Sequence, residues 1–297
     1  MSSAAVSKAV ATYLGSYRLL NVVNTGQTSQ VWQAYHDGMQ QFVAVKTLLE
    51  KYRKDREQLT ALKREYTVGT AVADTRIIRI YEYAVDRGAP FLAMEWFPAP
   101  NLKFRIHQGV EAIAHLVPTI ALEVTEALVS FSKAGWIHRD VKPENFLVAD
   151  DGDIKLIDFS LAQRKPGFLA KFFGGRTKVQ GTRSYMSPEQ ILGKPLDERA
   201  DLYSLACTLF ELIGGKPPFT GTSSNDLLTK HLRASPPPLE AANRNVTPEF
   251  AQLIRRAMAK KPAARFKSIE EFYDELRRTR IFRRTPTPPA EAKKTGS

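Results

Sequence analysis

His138-Arg139-Asp140-Val141-Lys142-Pro143-Glu144-Asn145 sets a carboxylate, an ammonium and a neutral amide within eight residues. Pro143 excludes a regular helix through the segment. The apolar run Phe146-Leu147-Val148 behind it predicts a short strand, so the octamer reads as a loop anchored to rigid structure. An accurately placed Asp140 can accept a hydroxyl proton there. Lys142 can lie beside a phosphate, and Asn145 can offer a neutral oxygen to a hard cation.

The octamer resembles the catalytic loop of eukaryotic-type protein kinases, and its lysine two residues after the aspartate is similar to the serine/threonine class, bacterial members above all. The resemblance implies that Asp140 orients or deprotonates a substrate hydroxyl, that Lys142 contacts the γ-phosphate of ATP and that Asn145 binds Mg2+. It also implies an α+β fold in two lobes. The first would be a small antiparallel sheet with one main helix, the second larger and mainly helical.

With 297 residues the chain is long enough for two such lobes, and 43% hydrophobic with 25% charged residues is ordinary for a globular enzyme. Strand-like runs at 17–23, 30–36, 41–48, 79–86 and 90–96 surround one helical stretch around 56–68. Beyond Pro98-Ala99-Pro100 the pattern turns helical. Val117, Ile120, Ala121, Val124, Leu128 and Phe131 share one helix face, and Leu202, Leu205, Ala206, Leu209 and Ile213 share another. The expected organisation is an N-terminal extension over 1–16, a small lobe over 17–97, a large lobe over 98–284 and a disordered tail or linker over 285–297.

Cys207 is the sole cysteine, so no intrachain disulfide forms and a reducing compartment is expected, with Cys207 itself a core residue. No window approaches 18 consecutive apolar residues and residues 1–11 lack a signal-peptide core, so the reading is a cytoplasmic chain or the cytosolic domain of a longer membrane protein. The net charge of +12 is weighted late: from Arg255 onward there are 13 Lys or Arg against 5 Asp or Glu. No aromatic-basic interleaving accompanies it, which argues against specific nucleic-acid binding.

Val43-Ala44-Val45-Lys46 has strand alternation that puts Ala44 and Lys46 on one face. An inward lysine needs a carboxylate, and the helical segment Lys63-Arg64-Glu65 supplies one. By resemblance, Lys46 contacts the α- and β-phosphates and pairs with Glu65. Asn24-Thr25-Gly26-Gln27-Thr28-Ser29-Gln30-Val31 is similar to the family's glycine-rich loop, with Asn24 and Ser29 where glycines usually stand. The resemblance further assigns Val31, Ala44, Met94 and Leu147 to the adenine pocket, and Glu95, Trp96 and Phe97 to a hinge offering backbone groups. Gly69, four residues after Glu65, replaces a larger apolar side chain of the family and leaves either a void or a neighbour such as Val68 to fill it.

Asp158-Phe159-Ser160 follows the strand-like Ile154-Lys155-Leu156-Ile157, and a carboxylate at a strand end suits Mg2+. Ser160 departs from the family's Asp-Phe-Gly, and serine resists backbone angles that glycine allows, so switching of this segment is expected to be restricted. Ser187-Pro188-Glu189 is similar to the family's Ala-Pro-Glu, and the resemblance pairs Glu189 with Arg265. Asp201 matches an aspartate that bonds backbone near the catalytic loop, or else caps its helix. Between Asp158 and Glu189 the chain is basic, with Arg164, Lys165, Lys171, Arg176, Lys178 and Arg183 around Thr177, Thr182 and Ser184. A phosphate near Thr177 would pair with Arg139, and Thr182 resembles the threonine that contacts the catalytic aspartate.

The expected function is ATP- and Mg2+-dependent phosphorylation of protein Ser/Thr hydroxyls, with autophosphorylation near Thr177 or Thr182; whether the chain forms a homodimer stays open. The alternatives are a nucleotide-binding scaffold without efficient transfer, motivated by Asn24, Ser29, Gly69 and Ser160, and a small-molecule kinase.

Overall fold

The computed structural model describes residues 12–165 and 180–288. Two compact units make up the chain. The first holds the residues up to Thr70 together with Ile78–Phe97, and the second holds Ala71–Ile77 and the chain from Pro98 onward.

Six antiparallel strands form the first unit's sheet: β1 (Tyr13–Leu14), β2 (Tyr17–Thr25), β3 (Ser29–His36), β4 (Gln41–Leu48), β5 (Ile80–Asp86) and β6 (Ala89–Glu95), in the order β1-β2-β3-β4-β6-β5. Period-two alternation decides its faces. Ala34, Val43, Val45, Phe91 and Ala93 pack with Leu14 and Tyr17 into one core, with the Tyr17 and Phe91 rings edge to face at 5.8 Å. Ala44 and Lys46 therefore point to the opposite face. The helix α1 (Arg56–Ala71) starts where the Asp55 carboxylate accepts from the amides of Glu57 and Gln58, at 2.9 and 3.0 Å. Its buried stripe is Leu62, Glu65, Val68 and Gly69. Val68 is fully buried beside Gly69 in the chain.

The second unit is mainly helical. α2 (Leu102–Gln108) is capped by Asn101, and α4 (Val117–Lys133) follows the short α3 (Val110–Ile113). Ile120, Ala121, Val124, Leu128 and Phe131 are all buried, as the 3.6-residue period requires. The segment Val110–Lys133 is long and apolar enough to cross a membrane by length and composition, but half of its apolar window is buried inside the protein, as in a core helix. The helix Glu198–Gly214 is buried almost all round, starts on the Asp197 cap and ends at Gly215 in the left-handed region, φ 74°. Cys207 lies within it with its thiol pushed up to about 12 by burial, an inert core group.

Two small antiparallel pairs hold the octamer. β7 (Trp136–Ile137) pairs with β10 (Gln163–Arg164), and β8 (Phe146–Val148) pairs with β9 (Ile154–Leu156). Residues 138–145 thus run between β7 and β8, and Asp158 follows β9. The Ile157 amide bonds the Asn145 carbonyl at 2.9 Å, which ties the two segments together.

Candidate active site

In the first unit, strand register brings Lys46 opposite Val31 and Leu92, and Ala44 opposite Met94, all on one face of the sheet. Lys46 Nζ donates to Glu65 Oε2 at 2.6 Å, with side-chain exposures of 14% and 3%. In a pair this dry each charge helps to compensate the other's desolvation. Gly26 lies in the β2–β3 turn, its amide bonded to the Ser29 carbonyl at 2.9 Å, and its φ is not positive. The turn therefore needs no glycine geometry; what Gly26 contributes is the lack of a side chain. The Glu95 amide is bonded to the Arg79 carbonyl at 2.8 Å, and Phe97 is half-buried where this unit ends.

In the second unit, the Asp140 carboxylate is the centre of a fixed cluster. Its Oδ2 accepts from Lys142 Nζ at 2.5 Å, and its Oδ1 accepts from the Thr182 amide at 2.8 Å. Lys142 Nζ also donates to Thr182 Oγ1 at 2.8 Å. Asn145 Nδ2 donates to the Asp140 carbonyl at 2.8 Å, which turns the amide nitrogen away and leaves the oxygen as the end suited to a cation. Thr182 therefore reaches Asp140 directly through its backbone, and its hydroxyl goes to Lys142. Gly181, which sequence reasoning missed, permits this approach: its φ is +122°, and an added Cβ would sit 3.0 Å from the Arg139 carbonyl oxygen. A glycine next to Thr182 was the available signal. Gln190 was also missed; its Nε2 bonds the Arg139 carbonyl at 2.8 Å, and its helix begins on a Ser187 capping box.

The loop's shape is enforced from behind. Arg139 adopts φ 70°, a left-handed conformation that is strained for a non-glycine residue. Asp201 holds it there, accepting from the His138 amide at 2.6 Å and the Arg139 amide at 2.8 Å, while Asp197 rather than Asp201 caps the helix. Burial pushes the Asp201 carboxyl up to about 7, against the downward pull of the two amides and the Arg139 charge. His138 is fully buried, and burial holds its imidazole below the usual range. Its ring packs with Phe131 and Phe159 at centroid distances of 5.4 and 5.9 Å. Replacing Asp201 with Asn turns one acceptor into a donor facing an N–H. The expected loss is about 2 kcal/mol, with faster amide exchange at His138 and Arg139; unchanged exchange there would remove Asp201 as the loop's support.

Asp158 also sits in the left-handed region, φ 64°, and accepts from the Ser160 amide at 3.3 Å. Ser160 itself is not at positive φ, so serine meets no backbone strain in this arrangement. Phe159 is fully buried. Among the described residues no three His, Cys, Asp or Glu side chains converge as a metal cluster. A single carboxylate and an amide oxygen fit Mg2+, which keeps waters and takes substrate phosphates as its other ligands.

The basic segment divides between described and undescribed residues. Arg164 lies over the Trp136 ring at 4.2 Å, Lys165 donates to Ser132 at 2.5 Å and pairs with Glu198 at 3.4 Å, and Arg183 bonds Ser224. Thr177, Lys171, Arg176 and Lys178 lie outside the described residues. Glu189 and Arg265 form a buried bidentate pair, at 2.6 and 2.9 Å.

A protein kinase domain model matches residues 17–275. Serine/threonine-protein kinase PknL of Mycobacterium tuberculosis is 32% identical over 244 residues, 82% of this chain and 60% of that protein. PknA of the same species is 30% identical over 283 residues, covering 93% and 64%. A "Probable serine/threonine-protein kinase" of Clostridium acetobutylicum is 30% identical over 260 residues, 88% of this chain but 39% of its own length. The chain thus spans from about two fifths to under two thirds of the length of these relatives. On the match over most of its length, the chain belongs to the protein kinase domain family.

Proposed function

We propose that the chain transfers the γ-phosphoryl group of ATP to serine and threonine hydroxyls of proteins, and that it acts in the cytoplasm. The carrying observation is the Asp140 carboxylate fixed by Lys142, the Thr182 amide and Asn145. In this reading Asp140 orients the attacking hydroxyl and takes its proton, and Lys142 neutralises the γ-phosphate. Lys46, positioned by Glu65, binds the α- and β-phosphates. Val31, Ala44 and Met94 offer one sheet face to the adenine, and the family resemblance assigns Leu147 to the same ring; its edge meets the backbone of Glu95 and Phe97, and Gly26 lets its turn lie close to the phosphates. Asp158 and Asn145 hold Mg2+, which supplies charge neutralisation on the phosphate oxygens.

Incubation with radiolabelled ATP and Mg2+, on the chain itself and a broad peptide panel, tests the reading. Labelling is expected for the parent and a fall of at least about a hundredfold for Asp158→Ala. Absence of Asp158-dependent labelling would leave a nucleotide-binding scaffold. Phosphopeptide mapping of the same reaction decides whether autophosphorylation falls at Thr177 or Thr182.

A further inference from the structure

Lys260 lies just past the helix Pro248–Ala257 and is partly exposed. Its ammonium sits 4.4 Å from the centre of the Phe219 ring and 5.6 Å from that of Tyr203. Its only hydrogen bonds among the described residues go to Tyr203 Oη at 3.4 Å and the Lys230 carbonyl at 3.5 Å, both at the long limit, and it forms no ion pair with them. Aromatic faces attract a cation, but they do not replace a carboxylate or a full water shell.

Of the neighbouring titratable groups, Arg265 makes the position worse for a positive charge. Arg265 stacks on the same Tyr203 ring at 4.9 Å and adds a like charge. His231, from the helix Ser224–Arg233, shares the Tyr203 hydroxyl at 3.0 Å and is held down to about 4 by burial, so it is neutral. Cys207 stays a thiol. The Lys230 ammonium pairs with Asp226 instead.

From this arrangement we propose that Lys260 is a nucleophilic lysine and a site of N-acylation by small acyl phosphates. The amine lone pair attacks the acyl carbon, an N–C bond forms, the C–O bond to phosphate breaks, phosphate leaves and the amine proton passes to solvent. The product is a neutral amide, which removes the charge facing Arg265. Burial first, then Arg265, pushes the Lys260 amine down to about 8 from the usual 10.5. At pH 7.5 about a quarter of it is free amine, against roughly one part in a thousand for an ordinary lysine.

The full chain is treated with acetyl phosphate and site occupancies are followed by mass spectrometry, with the exposed Lys261 and Lys267 as internal comparators. Lys260 is expected to acetylate at least about tenfold faster than either at pH 7.5, with the ratio collapsing by pH 10.5, where the comparators also lose their protons. Lys260→Arg removes the signal and confirms its assignment. Equal or slower labelling of Lys260 at pH 7.5, a ratio independent of pH, or reaction with acetyl coenzyme A alone would each overturn the proposal.

Discussion

Asp140→Asn is expected to lower turnover of peptide phosphorylation by about 10² to 10⁴, roughly 3 to 5 kcal/mol of barrier, while the chain stays folded. The substitution keeps an oxygen to accept from the Thr182 amide, so the loop retains that anchor. It removes the negative charge that pairs with Lys142 and the lone pair that would take the hydroxyl proton. Steady-state kinetics separate these effects. A fall in kcat with little change in KM for ATP fits a group acting on the transferring phosphoryl and hydroxyl, whereas unaltered kcat would sink the proton-acceptor role.

Arg265→Met is expected to destabilise the second unit by about 3 to 5 kcal/mol, read by urea unfolding. Glu189 is 5% exposed and would be left as a buried carboxylate without its bidentate partner. Arg265 also donates to the carbonyls of Arg199, Ala259 and Lys260, at 2.6, 2.7 and 3.3 Å, and these lose a donor as well. Glu189→Leu in the same chain removes the stranded charge, so the double variant should cost less than the sum of the two singles. An Arg265→Met cost below about 1 kcal/mol would show that the frame carries little stability.

Much of the fold was legible because its determinants are local. Val43-Ala44-Val45-Lys46 alternates, which sends Val43 and Val45 into the core and Lys46 to the other face. Helical spacing put Ile120, Val124 and Leu128 inside. Pro143 opens only a single 3-10 turn, Pro143–Asn145, within the octamer, and the residues from Phe146 to Val148 made the strand behind it. Asp158-Phe159-Ser160 shows where such local reading runs out: the left-handed residue is Asp158, which residue type alone does not single out. Residue type constrains backbone angles only once the path of the chain has decided which angles are required.

The site was legible as a set of residue types and illegible as a set of contacts. That Asp201 supports the loop instead of capping its helix depends on a chain separation of 63 residues. The Thr182 amide reaches Asp140 across 42, through a close approach that Gly181 alone allows. Gln190 meets the Arg139 carbonyl across 51. By itself the sequence determined the elements, their order and the chemistry on offer, since propensity and alternation act over a few residues. Only the tertiary structure decided which donor meets which acceptor, because closing loops of this length requires the packed helices and paired strands that hold their ends together.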